Sequence, residues 1–236
     1  MNLRTKNYPG LKSLLFASAT LLFALPSSPL TAQDLKTTLS RLDTAAANFH
    51  TVAADFQFDS YVTDPVPDKL VQKGTIYYSR HGSDFQMGAH INEENGKPVP
   101  KVYTFAKNIF RLYEKLPNQV TTAKNDKAGG YLLLGFGASG KELSDKWDIT
   151  YGGEETLDGV KTTKLDLVPK DPSVREKLPK VSVWMDTARG VSLKQVFDQG
   201  EGQQRVCVYF AFKFNQPLPS DAFNFKTDGK TQFINR

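Results

Sequence analysis

The chain has 236 residues, a formal net charge of +5 and one cysteine, Cys207. That length suits a single domain with a sizeable core, and a lone cysteine excludes an internal disulfide. Three of the basic residues, Arg4, Lys6 and Lys12, precede the first acidic residue and belong to a leader. Without them the charge falls from +5 to +2, which removes the electrostatic case for nucleic acid.

Residues 1–32 have the order of a secretory signal. A positive start is followed by the uncharged run 14–25 (LLFASATLLFAL) and then by PSSPLTA, so cleavage is expected after Ala32. The run is too short to span a bilayer comfortably. No cysteine lies near the junction, so a lipid anchor is not expected. The mature part, 33–236, reads as one exported domain.

Residues 33–50 read as a helix with Leu35, Leu39, Leu42, Ala46 and Phe49 on one stripe and Asp34 as N-cap. Strand patterns follow at 52–62, 74–79, 85–90, 101–106, 109–113 and 119–123. Residues 125–146 break the rhythm: 131–134 are continuously apolar and 139–146 carry helix formers, so a short helix or two is expected. Strands resume at 147–151, 162–167, 181–186 and 191–197. The last, 204–215, alternates Val206, Val208, Phe210, Phe212 and Phe214 with Arg205, Cys207, Tyr209, Ala211 and Lys213. Strand side chains point to opposite faces in turn, so this is one long strand with an apolar face that must be covered. Cys207, on the other face, reads as a buried small residue. About ten strands with two helical pieces give an α+β class: a strongly curved antiparallel sheet with helices across its concave side.

Several patterns of chemical interest are weak. Residues 135–140 (GFGASG) match G-x-G-x-x-G, but that motif needs a crossover into a parallel strand, and the neighbouring strands read as hairpin-linked. A glycine-jointed lid segment is the better reading. His50, His81 and His90 lack metal-ligand spacing, so no metal is expected. No G-x-S-x-G elbow is present. Asp55, Asp59, Asp64 and Asp68 read as a solvated scatter. Arg80 ends a strand beside Tyr77 and Tyr78, where its donors suit the backbone carbonyls of a lid.

The ordered series of these segments resembles the LolA-type periplasmic lipoprotein carriers. The opening LDTAAANFHTVAADFQF, the strand KGTIYYSR, the hairpin FAKNIFRLYEKLPNQVT, the pair TKLDLVPKD and KVSVWMDTARGVSLKQV, and the ending FKFNQPLPSDAFNFK carry the likeness. Together they span the mature chain. His81 stands where the family has proline after the arginine, and residues 63–70 and 90–100 are longer. The resemblance implies an incomplete β-barrel closed by helices, without enzymatic activity or cofactor. It implies a monomer that carries acylated lipoproteins from an inner-membrane releasing transporter to an outer-membrane acceptor. It also implies that Arg80 latches the lid in the empty, closed state. Alternation then nominates Phe56, Phe58, Ile76, Tyr78, Phe110, Phe210 and Phe212 as cavity lining, with Leu132, Leu133, Leu134 and Phe136 as lid. A sensor or a lipid-binding protein of the same fold, with different cargo, is the alternative.

Overall fold

The computed structural model describes residues 29–63, 66–82, 84–125, 131 and 134–236, with Pro29 and Leu30 described in backbone only. Twelve strands form one curved, unclosed sheet. They are β1 (Thr51–Val62), β2 (Asp68–His81), β3 (Asp84–Glu94), β4 (Lys97–Ala106), β5 (Ile109–Glu114), β6 (Gln119–Lys124), β7 (Trp147–Leu157), β8 (Val160–Pro169), β9 (Lys180–Asp186), β10 (Val191–Gly200), β11 (Gln203–Phe214) and β12 (Gln232–Asn235). Their order is β12-β6-β5-β4-β3-β2-β1-β11-β10-β9-β8-β7. All pairings are antiparallel except β12 with β6. The described helices are α1 (Pro29–Ala47), α2 (Gly140–Lys146) and α3 (Pro172–Arg175).

Hairpin connections build two wings, β1–β6 and β7–β11, and the β1–β11 pair joins them. The strands run longer than their sequence patterns. Of the two segments expected to be longer, residues 68–70 pair with β1 in the β1–β2 hairpin, and residues 90–100 form the far end of the β3–β4 hairpin. β12 is short and mostly polar, and no alternation marks it. It forms because residues 215–231 cross the outer face of the sheet first. On that path the Ala222 carbonyl lies so close to Gly88 that any side chain there would collide with it. Phe225 stacks on Tyr113 at 5.1 Å.

The helix α1 begins at Pro29, upstream of Asp34, so Asp34 is an internal residue rather than the N-cap. Proline is tolerated in a first turn, where its missing N–H has no partner to lose. Leu42 is fully buried, and Ala45 and Phe49 nearly so. Leu42, with Leu143 of α2, fills the concave side of the β7–β10 wing against Trp147, Leu165, Leu167, Val181 and Val183, while Phe49 packs in the other cluster with Val52, Phe56 and Phe136. Gly140 permits the contact of α1 with α2: a Cβ there would sit 2.3 Å from the Leu39 carbonyl of α1. The Asp43 carboxylate accepts the Lys141 N–H and ties the two helices together.

The closing strand departs from strict alternation. Ala53 pairs with Lys213 while Asp55 pairs with Phe210, so Ala211 and Phe212 together oppose one residue of β1. Ala211 has φ +53°. This is a β-bulge, and one extra residue switches which parity faces inward. Before the bulge Arg205, Cys207 and Tyr209 point into the concavity. After it Phe212 and Phe214 do. The apolar stripe of the sequence is therefore divided between two faces.

Candidate functional site

Among the described residues no helix fills the β1–β6 wing. Its concave face encloses a pocket of about 520 Å³, within the range of roughly 300–1,000 Å³ typical of small-molecule sites. Phe56 and Phe58 of β1, Ile76 and Tyr78 of β2, Met87 and Ile91 of β3, Tyr103 of β4 and Phe110 of β5 line it. Cys207 and Tyr209 of β11 complete the wall, and Tyr131 and Leu134 close it from the segment before α2. Gly74 lies between these rows because the His90 carbonyl passes where its side chain would be.

Of the residues nominated from sequence, the structure brings Phe56, Phe58, Ile76, Tyr78 and Phe110 together in this pocket. Phe210 is a correction. It stands on the outer face, 46% exposed, because it precedes the bulge and shares parity with Val206 and Val208. Phe212 turns inward only because of the bulge. It is half-buried against the interior and stacks on Phe214 at 5.6 Å, away from the pocket wall. Tyr103, Met87, Ile91, Cys207 and Tyr209 were not nominated. The register of β3 and β4 against β2 identifies the first three, and the bulge identifies the last two.

A plug enters from residues 134–139. Phe136 is 1% exposed, stacks on Tyr78 at 4.3 Å and meets Tyr209 edge-on at 4.8 Å. Leu134 is buried beside it. Leu132 and Leu133 lie outside the described residues. The plug is held by backbone bonds: Ser192 N–H donates to the Gly135 carbonyl at 2.8 Å, and Gly137 N–H donates to Gly190 at 2.9 Å. Gln195, 3% exposed, donates to the Leu134 carbonyl at 2.8 Å and accepts from the Tyr209 hydroxyl at 3.1 Å. The glycines serve close approach. Gly135 and Gly137 have positive φ, and a side chain on Gly137 would strike the Phe49 ring. No parallel crossover flanks G-x-G-x-x-G, so its dinucleotide reading has no support.

Arg80 fastens the plug to α2. Its Nη1 donates to the Gly137 carbonyl at 2.6 Å, and Nη1 and Nη2 donate to the two Glu142 carboxylate oxygens at 3.1 and 2.6 Å. Its Nε donates to the Gly82 carbonyl, and its backbone N–H donates to His50. A two-toothed guanidinium–carboxylate contact is among the stronger ion pairs. Glu142, which sequence reading missed, also caps α2 reciprocally with Ser139. S-x-x-E at 139–142 was the available signal. Burial pushes the Glu142 carboxyl up, but hydrogen bonds from Arg80 and Ser139 outweigh it and hold it below the ordinary carboxylate range.

The pocket floor is electrically quiet. Burial pushes the Tyr78 and Tyr209 hydroxyls well above their ordinary range. Burial also pushes the Cys207 thiol up to about 12, although the Tyr209 hydroxyl opposes it. At neutral pH these groups carry no charge.

No protein-family model matches the chain, and no curated protein sequence is similar to it. Solved structures do share its fold. An uncharacterized conserved protein from Thermus thermophilus superposes with a TM-score of 0.54 at 13% identity, over 86% of this chain and 100% of that one. MucB superposes with a TM-score of 0.52 at 13% identity, over 86% of this chain and 66% of MucB. A LolA superfamily protein from Nitrosomonas europaea matches at a TM-score of 0.40 and 13% identity, over 81% of this chain and 97% of that one. At 13% identity the likeness to the first two is one of fold. It is the curved, unclosed sheet with helices that the resemblance to LolA-type carriers implies.

Proposed function

We propose that this protein is a non-enzymatic carrier in the periplasm that binds the acyl chains of lipoproteins in the interior pocket and passes them toward the outer membrane. The observation that carries this reading is the pairing of an apolar pocket with a plug held by polar bonds. Phe136 occupies apolar surface beside the pocket, and Arg80 holds its segment through one carbonyl and one carboxylate. A buried methylene is worth about 0.8 kcal/mol, so ten carbons of one acyl chain cost roughly 8 kcal/mol to expose to water. A carrier must cover that surface and still release it. A plug that competes with the chain, on a latch of a few polar bonds, meets both demands without covalent chemistry.

Residues 1–32 act as the export signal in this reading. Cleavage after Ala32 falls within the first turn of α1, where Thr31 and Ala32 are exposed. The inner-membrane releasing transporter and outer-membrane acceptor follow from the sequence resemblance. The test is transfer of an acylated lipoprotein between membrane vesicles, with wild type and Arg80→Leu. The substitution is expected to change the rate of loading or release several-fold. Unchanged transfer kinetics would remove Arg80 from the latch.

A further inference from the structure

The pocket is apolar below but not at its mouth, where a cation stands. Arg205 lies on the inward row of β11 and lines the pocket. Its lateral neighbours are Ser60 on β1 and Phe197 on β10. Its guanidinium lies 5.9 Å from the centre of the Phe58 ring, one of the pocket walls. Among the described residues it makes no hydrogen bond and no ion pair. The other charges of the mouth are committed to one another. Lys101 pairs with Glu94 at 3.1 Å and with Glu114 at 3.9 Å, and Gln72 donates to Glu94 at 2.8 Å. Burial raises the hydroxyl of Tyr103, which lines the same pocket; Lys101 and Arg205 oppose that shift, and Glu114 and Glu94 add to it.

We propose that the pocket also takes a free amphiphile with a negatively charged head group, carboxylate or phosphate, and that Arg205 binds this head group at the mouth while the chain lies on Phe56, Ile76 and Met87. The proposal rests on the apolar pocket described above and adds a second class of ligand, since the lipid of an acylated lipoprotein carries neither carboxylate nor phosphate. A guanidinium held against an aromatic wall keeps its outer donors free, in the fork geometry that carboxylates and phosphates accept. Ser60 offers a hydroxyl beside it. A neutral head group would leave these donors to water and gain nothing from the charge.

The test is fluorescence titration of the purified protein at pH 8 with cis-parinaric acid and with its methyl ester, which share a chain and differ in charge. Wild type is expected to bind the acid roughly tenfold more tightly than the ester, as a hydrogen-bonded charge pair allows. Arg205→Gln is expected to lose that preference and keep its affinity for the ester, and added salt is expected to narrow the wild-type preference. Oleoyl lysophosphatidic acid should displace the bound acid, whereas inorganic phosphate at millimolar concentration should not. Equal binding of acid and ester would overturn the head-group assignment and leave the pocket reading intact. So would a preference that survives Arg205→Gln. Displacement by inorganic phosphate alone would make Arg205 a free-anion site and overturn the amphiphile. Binding of neither probe would overturn both readings.

Discussion

Three side chains decide how the plug and pocket behave. Arg80 is largely buried and holds Glu142, Gly137 and Gly82, and its loss leaves the Glu142 carboxylate with Ser139 alone and the Gly137 carbonyl without its guanidinium donor. Glu142 is 40% exposed, so water recovers part of the loss, and Arg80→Leu is expected to cost about 1–2 kcal/mol in chemical denaturation. No measurable change would mean that the contact does not hold the plug. Acid should act on the same pair. The Glu142 carboxyl is lowered from its ordinary value of 4.5, so the contact is fully present above that pH and is lost as pH falls through the lowered value. Hydrogen exchange at the Gly137 amide is therefore expected to stay slow from neutrality to pH 5 and to lose protection in stronger acid, with Glu142→Gln insensitive over that range. Cys207 reports the pocket wall. With its thiol pushed up to about 12, almost no thiolate exists at pH 8. Alkylation by iodoacetamide is expected to be roughly a thousandfold slower than in the urea-unfolded chain. Comparable rates would place the thiol outside the wall.

At the level of strands and helices, two backbone devices shape the site. The bulge at Ala211 redirects β11, so that Cys207 and Tyr209 enter the pocket while Phe212 and Phe214 pack against the interior beyond it. A non-glycine residue in a left-handed conformation is strained by about 1–2 kcal/mol, and glycine relieves this at some entropic cost. Ala211→Gly is expected to stabilise the protein by about 0.5–1 kcal/mol in urea denaturation, whereas the β-branched Ala211→Val should destabilise it. The contact of α1 with α2 depends on Gly140 in the same way. Gly140→Ala would press a methyl into the Leu39 carbonyl, with an expected loss of about 1–3 kcal/mol by thermal or chemical unfolding.

These devices also mark where sequence reading stopped. Alternation located eleven of the strands, because a half-buried strand must alternate, and pairing with neighbours lengthened most of them. It also brought five pocket residues on β1, β2 and β5 to one face. It misplaced Phe210 because a bulge has no reliable signature when the inserted residue is alanine. It missed β12 because that strand is held by its crossing and by β6, not by an apolar face. Arg80 was legible as a strand-end guanidinium, but its carboxylate partner lies on a helix 62 residues away.

Over the whole molecule, the concave face is divided in two. The β7–β10 wing is covered by α1 and α2 and forms a permanent core. The β1–β5 wing with β11 is left open around the pocket, and the plug stands at the boundary between them. On the proposed function, that division would let the protein stay folded while one part of its interior exchanges cover. The expectation is that ligand loading perturbs residues 134–139 and the pocket rows while the packing of Leu42, Trp147, Leu165 and Val181 stays unchanged. The direct measurement is photo-crosslinking with a diacylated lipopeptide that carries a diazirine near the end of one acyl chain, with the modified residues located by mass spectrometry. Labelling should fall on the pocket rows of β1 to β4 and on Cys207 or Tyr209 of β11, and should be competed by unlabelled lipopeptide. Labelling confined to the outer face of the sheet, or no competed labelling at all, would contradict acyl-chain binding in the pocket.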